Sequence, residues 1–178
     1  MRWTRNYPYA YPFEAARAEA IIATFLYTGI RKAELRSLEV RDVDLANRVL
    51  TVRAGKGSKD RMIPLIPRMI PILEAYLRER HRLNREMPYF FAGIRTRTRI
   101  SASVINSLVE KLRKKSGIHF SAHKLRHTFA VLMLEGGCNL FALSKMMGHS
   151  DIKTTTIYLS ATTAHLQEQI GKHPLEVL

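Results

Sequence analysis

Between Ser121 and Tyr158 the chain carries His123 and Arg126 three residues apart, then His149, then Tyr158 nine residues further on. Three of these side chains are cations or can become cations, and the fourth is a phenol. That set suits holding a phosphate and attacking it, because guanidinium and imidazole groups donate to phosphoryl oxygens while a phenolate is a nucleophile. Upstream lie two further cations with unusual surroundings. Arg31 sits in Thr28-Gly29-Ile30-Arg31-Lys32-Ala33-Glu34-Leu35, with Glu34 one turn on to orient it for an anion. Taken alone, this stretch is read more simply as a solvated arginine with a helical ion partner. Lys56 stands between Gly55 and Gly57, which allow its backbone close to a ligand. It is either a general acid reaching into a cleft or part of a basic hairpin that only touches phosphates. The G-x-x-x-x-G-K-[ST] spacing of a P-loop is absent. His123 and His127 form a His-x-x-x-His pair, but Lys124 stands where a zinc enzyme has glutamate, and a cation there opposes a divalent metal. The bland reading of Tyr158 is a core tyrosine beside Ile157 and Leu159.

The totals narrow the partner. At 178 residues, the chain has room for one domain with a real core. Its 46% hydrophobic and 25% charged residues are those of an ordinary folded chain. The 29 Lys+Arg against 15 Asp+Glu are not ordinary, and a net charge of +14 favours a polyanion, nucleic acid before an anionic membrane surface. A single cysteine, Cys138, excludes an internal disulfide and fits a reducing cytoplasm. No apolar run is long enough to span a membrane, and the opening residues lack the apolar run of a secretory signal.

The elements that must position these groups can be read from periodicity. Residues 1–13, rich in Tyr and Pro, are expected to be extended. A helix apolar on most faces begins near Phe13 and ends at Gly29, and so belongs in the core. A short helix follows, with Arg31 in its first turn and Leu35 and Leu38 facing inward. Val49–Arg53 and Arg61–Leu65 read as a hairpin, closed by the glycine-rich loop that holds Lys56 and Lys59. Residues 67–85 read as a basic amphipathic helix with Ile70, Leu73, Tyr76 and Leu77 inward and a solvated Arg78–Arg82 end. Arg95, Arg97 and Arg99 alternate with apolar and Thr residues, a pattern that suits tracking a duplex backbone or a charged loop. A helix over 101–116 places Val104, Leu108 and Leu112 inward. Ser121 caps the next helix, with Leu125, Phe129, Leu132 and Met133 inward. Asn139 caps another, with Leu140, Leu143 and Met147 inward and Gly148 closing it. Beyond Ser150, the run Thr154-Thr155-Thr156 makes a poor helix former, so this segment is expected to be a marginal, movable helix.

These pieces together resemble the tyrosine recombinases, the phage integrase and Xer group. They are Thr28–Leu35, Gly55-Lys56-Gly57-Ser58-Lys59-Asp60-Arg61, Ser121-Ala122-His123-Lys124-Leu125-Arg126-His127-Thr128, Met147-Gly148-His149-Ser150 and Tyr158. They come in the family's order and spacing over roughly residues 14–160. The resemblance implies a mainly α fold with a small antiparallel β-sheet, an α+β catalytic domain like that of type IB topoisomerases. It implies a single catalytic domain over 1–178, without the helical domain that usually precedes the first arginine motif, and with a tail over 161–178 that packs on a neighbouring subunit or folds back on its own. Ala122 stands where proline is frequent, which a first helical position tolerates.

The resemblance also assigns roles. Tyr158 attacks a DNA phosphodiester to give a 3′-phosphotyrosine and a free 5′-hydroxyl. His123 is the base, and Arg31 and Arg126 fork onto the non-bridging oxygens. His149 donates to the same phosphoryl group, Lys56 protonates the departing oxygen, and Glu34 orients its neighbours. Lys59, Arg61, Arg95, Arg97 and Arg99 are expected at the DNA. No metal or other cofactor is expected, because the cations neutralise the phosphate and one ester is exchanged for another. The implied partner is double-stranded DNA, bound by a homotetramer on two sites that is monomeric or weakly dimeric when free. The alternatives with the same residues are relaxation of DNA in the manner of a type IB topoisomerase, or a DNA-binding protein that keeps the fold without catalysis.

Overall fold

The computed structural model describes residues 12–53, 60–83, 87–93, 98–149 and 155. Its organising element is helix α1 (Pro12–Thr28), whose faces are nearly all apolar, as the sequence pattern requires. Ile21, Ile22 and Phe25 are fully buried, and each such side chain contributes about 1.5–3 kcal/mol relative to exposure. The helix begins at Pro12, so Pro12 and Phe13 are helical and not extended as the sequence reading had them. Two threonines sit inside this core without cost, since Thr24 Oγ1 donates to Ala20 O at 2.7 Å and Thr28 Oγ1 to Thr24 O at 2.6 Å. Arg17 is also buried and donates to Ala92 O at 2.9 Å.

Helix α2 (Lys32–Ser37) follows directly, with Leu35 and Leu38 buried as expected. A 3-10 turn over Val40–Asp42 leads into a three-stranded antiparallel sheet of β1 (Val43–Asp44), β2 (Val49–Val52) and β3 (Arg61–Pro64) in that order. Leu50 faces Ile63 across β2–β3, and both are buried. The two-residue β1 is too short to leave a periodic signal and was not expected. Its pairing sets Val43 opposite Leu50. A 3-10 turn at Pro67–Met69 opens helix α3 (Ile70–Arg82). Tyr76 is its buried anchor: the hydroxyl donates to Phe90 O at 2.8 Å and the ring stacks on Phe91 at 5.3 Å. Arg80 is not solvated but bonds the Met87 and Tyr89 carbonyls.

Helix α4 (Ala102–Ser116) is capped by Ser101, which accepts from the Val104 amide at 3.2 Å. Its buried stripe is Ile105, Leu108, Val109 and Leu112, while Val104 is 38% exposed. Val104 was expected inward; the stripe lies one residue over, because Ile105 and Val109 complete the same i, i+3, i+4 row as Leu108 and Leu112. Helix α5 (Ala122–Glu135) is capped by Ser121 and packs with α3 against α1. Helix α6 (Leu140–Met147) is capped by Asn139 and closed by Gly148 at φ 65°. Phe129, Ala130, Leu143 and Met147 form a second, smaller core between α5 and α6. Leu132 departs from the expected inward row and is 57% exposed, because α6 covers the face carrying Phe129 and Ala130 instead.

A guanidinium-rich candidate active site

The turn between α1 and α2 places the first group. Gly29 adopts φ 61°, and a Cβ there would lie 2.3 Å from the Phe129 ring, so only glycine lets α5 approach this closely. Arg31 is then the N-cap of α2, one position outside the expected first turn, with an extended backbone. Glu34 accepts from the Arg31 amide at 2.8 Å and from Arg31 Nη1 at 2.9 Å, while Arg31 Nη2 donates to Gly148 O at 2.9 Å. The helical ion pair of this stretch is present, and it holds the Arg31 guanidinium against Glu34.

Arg61 completes the carboxylate. Its Nη1 and Nη2 fork onto Glu34 Oε1 and Oε2 at 2.9 and 2.7 Å, and its Nε donates to Met146 O at 2.8 Å. The side chain is only 13% exposed. Arg61 was expected at the DNA; here its donors point inward, to a carboxylate and a helix terminus. Burial pushes the Glu34 carboxyl up, but the Arg61 bonds, the Arg31 amide and the Arg61 charge outweigh it and hold the pKa down to about 2. Gly148 passes close over this guanidinium, where a Cβ would sit 2.7 Å from Arg61 Nη1.

Arg126 is the most enclosed group, at 6% exposure on the side of α5 facing the α1–α2 turn. Its Nη1 donates to Gly29 O, and its Nη2 donates to Met147 O at 2.8 Å and meets His149 Nε2 at 2.9 Å. A guanidinium has donors only, so His149 Nε2 must be the acceptor. The imidazole therefore carries its proton on Nδ1, which donates to Thr155 Oγ1 at 2.8 Å. Burial, and then the charges of Arg126, Arg31 and Arg61, push the His149 pKa below its usual value, which keeps the ring neutral. His149 was expected to donate to the phosphate. In this arrangement its Nε2 is an acceptor, turned to Arg126.

Arg31, His123, Arg126 and His149 line one cleft of about 1000 Å³ between α2, α4 and α5. Lys32 joins its far wall through Asn106 at 3.2 Å. His123 is exposed at the start of α5, one turn from the buried Arg126. Four of the seven residues expected at the chemistry (Arg31, His123, Arg126 and His149) thus face one space, with Glu34 behind them. Lys56, Lys59, Arg95, Arg97 and Tyr158 lie outside the described residues, and Arg99 is exposed in a bridge with Ala92. Among the described residues no three His, Cys, Asp or Glu side chains converge as a metal would need, and no helix is long and apolar enough to cross a membrane. Sequence reasoning missed Arg61 as the partner of Glu34 and Thr155 as the partner of His149. The only signal for the first was a glutamate and an arginine both set in motifs that lead to the same cleft.

A mainly helical domain with a small antiparallel sheet, carrying a cleft of guanidinium and imidazole groups, is the fold found in tyrosine recombinases. The chain belongs to the phage integrase family, whose model matches residues 9–165. A curated tyrosine recombinase XerA of Pyrococcus horikoshii is 38% identical over 160 residues, 88% of this chain and 55% of that protein. The chain therefore spans about half the length of such relatives. A crystal structure of XerA recombinase superposes with a TM-score of 0.76 at 35% identity, over 89% of this chain and 58% of that one. A XerH site-specific recombinase bound to a palindromic difH substrate as a post-cleavage complex gives 0.74 at 26% identity, over 90% and 46%.

Proposed function

We propose that the chain is the catalytic domain of a site-specific DNA recombinase that cuts and rejoins double-stranded DNA through a tyrosine. The observation that carries this reading is the convergence of Arg31, Arg126, His123 and His149 from well-separated segments on one cleft. The Arg126 bonds to Gly29 O, Met147 O and His149 Nε2 fix the guanidinium before any ligand arrives, so none of that ordering has to happen at the transition state. The related XerH structure captured with cleaved substrate supports DNA as the partner.

In this mechanism Arg31 and Arg126 grip the non-bridging oxygens of the scissile phosphate. The Tyr158 oxygen attacks phosphorus and gives its proton to His123. The bond from phosphorus to the 5′-oxygen breaks, and Lys56 supplies the proton that makes the 5′-hydroxyl. The 3′-phosphotyrosine preserves the ester energy, so rejoining to a second strand needs no nucleotide hydrolysis. His149 supports Arg126, and donates to the phosphoryl group only after Nε2 has taken up a proton and parted from Arg126. The +14 charge supplies non-specific affinity for the duplex, with Lys59, Arg95, Arg97 and Arg99 at its backbone. Exchange between two duplexes calls for four subunits on two sites, in the cytoplasm where the DNA is.

The test uses a nicked DNA carrying a candidate site, incubated in EDTA and then denatured. A covalent protein–DNA band in the wild type, absent in Tyr158→Phe, is expected. Joining of a second duplex separates exchange from relaxation of the same strand. A band that survives in Tyr158→Phe would remove the tyrosine from the mechanism.

A further inference from the structure

The contact between Thr155 and His149 has no part in the mechanism above. Thr155 is fully buried, and its hydroxyl sits 2.8 Å from His149 Nδ1. On the opposite side of the same ring, Nε2 takes a hydrogen bond from Arg126 at 2.9 Å. Since Arg126 can only donate, the ring must present a lone pair to it, and the remaining proton must be on Nδ1. That proton is best placed on an acceptor, and the buried Thr155 Oγ1 stands at hydrogen-bond distance to take it. Thr155 also stands three residues before Tyr158 in the sequence.

We infer that Thr155 is a positioning residue that fixes the tautomer and tilt of His149, and through it the angle at which Arg126 meets the phosphate. The row Thr155–His149–Arg126 joins the segment leading to the nucleophile with the guanidinium that grips the target. The inference rests on the recombinase reading for its catalytic consequence, but the tautomer is a property of the protein without DNA.

Two readouts test it on the full chain. The first is the ¹⁵N spectrum of the His149 ring, assigned by its loss in His149→Gln. The wild type is expected to show a neutral ring protonated at Nδ1 with a slowly exchanging proton. In Thr155→Val that proton exchanges quickly, and in Thr155→Ser it is protected again. A ring protonated at Nε2 in the wild type overturns the inference. The second readout is the rate of covalent adduct formation on nicked DNA. Loss of one hydrogen bond to a positioning group is expected to slow Thr155→Val about tenfold, with DNA affinity unchanged and with Thr155→Ser restored. A serine variant as slow as the valine variant would show that restoring the hydroxyl restores nothing, and would overturn the inference. If the valine variant does not fold, the wild-type tautomer and the serine rate decide. Absence of adduct in the wild type would strike at the recombinase reading, while the spectrum still decides the role of Thr155.

Discussion

Replacing Arg61 by methionine should cost stability in a manner that depends on pH, and the size follows from Glu34. The Glu34 carboxyl is lowered from 4.5 to about 2, and at about 1.4 kcal/mol per pH unit this contributes about 3 kcal/mol at neutral pH. The carboxylate side chain is 17% exposed, so solvent screens the interaction only weakly. Arg61→Met removes both fork bonds and the nearby charge, yet leaves burial, which favours the neutral acid. The Arg31 amide and Nη1 remain and hold part of the depression. We therefore expect a loss of about 2–4 kcal/mol at pH 7, overlapping the lower part of the roughly 3–5 kcal/mol lost when one partner of a buried pair is removed.

The sign with pH is definite. A carboxyl depressed in the folded state gives stability that is complete above its unfolded pKa and lost as pH falls through 4.5 toward about 2. The wild type loses that contribution in this window and the variant has little to lose, so their unfolding curves should converge on acidification. Urea unfolding at pH 7, 5, 4 and 3 reads the difference directly. Arg61→Lys keeps a cation but not the fork or the Nε bond to Met146 O, and should fall between the two. A gap that stays constant from pH 7 to 3 would refute the electrostatic argument and leave only packing.

Three other outcomes are expected. Gly29→Ala must place a methyl against the Phe129 ring at φ 61°, and should cost about 2–4 kcal/mol in urea unfolding while also slowing adduct formation, because Gly29 O holds Arg126. Arg126→Lys should bind DNA nearly as well but form adduct about a hundredfold more slowly, since an ammonium cannot span Gly29 O, Met147 O and a phosphate together. Protonation of His149 should destabilise the fold. With the folded pKa below 6.5, the unfolded chain binds more protons there, so stability should fall as pH drops below about 6.5 and level off below the folded pKa. His149→Gln should lose less than the wild type over that range.

Much of the site could be read from the chain because its residues lie in short motifs whose spacing is local. His123 and Arg126 are one helical turn apart, Ser121 and Asn139 are caps, and Gly29 and Gly148 end helices. Each follows from backbone geometry within a few residues. What could not be read is pairing across the fold. Nothing near Arg61 says that its partner is Glu34, 27 residues earlier, and a basic residue after a basic loop looks like one more DNA contact. Helical phase was the other weak point. Val104 and Leu132 sit at the edge of their apolar rows, and which edge is covered depends on the neighbour, α6 in the case of Leu132. Thr155 lies in a run of three threonines that reads as a weak helix former, and its hydroxyl acquires meaning only beside His149.

The contrast between the arginines explains how the site divides its charge. Arg61 forks onto a carboxylate and is enclosed, so its charge is spent on holding α2, β3 and the end of α6 together. Arg126 is enclosed further still, and it donates to Gly29 O, Met147 O and His149 Nε2. Those three bonds fix the orientation of the guanidinium. A neutral His149 is required for this, because an imidazolium in the same place would repel Arg126 and offer it no lone pair. The depressed pKa of His149 and the orientation of Arg126 are therefore linked: burial and then the Arg126 charge hold the histidine neutral, and the neutral ring accepts the bond that helps to aim Arg126. A phosphate entering the cleft meets a positive charge already oriented. Its own negative charge should then raise the affinity of His149 for a proton, the condition under which the ring can release Arg126 and donate to the phosphoryl oxygen.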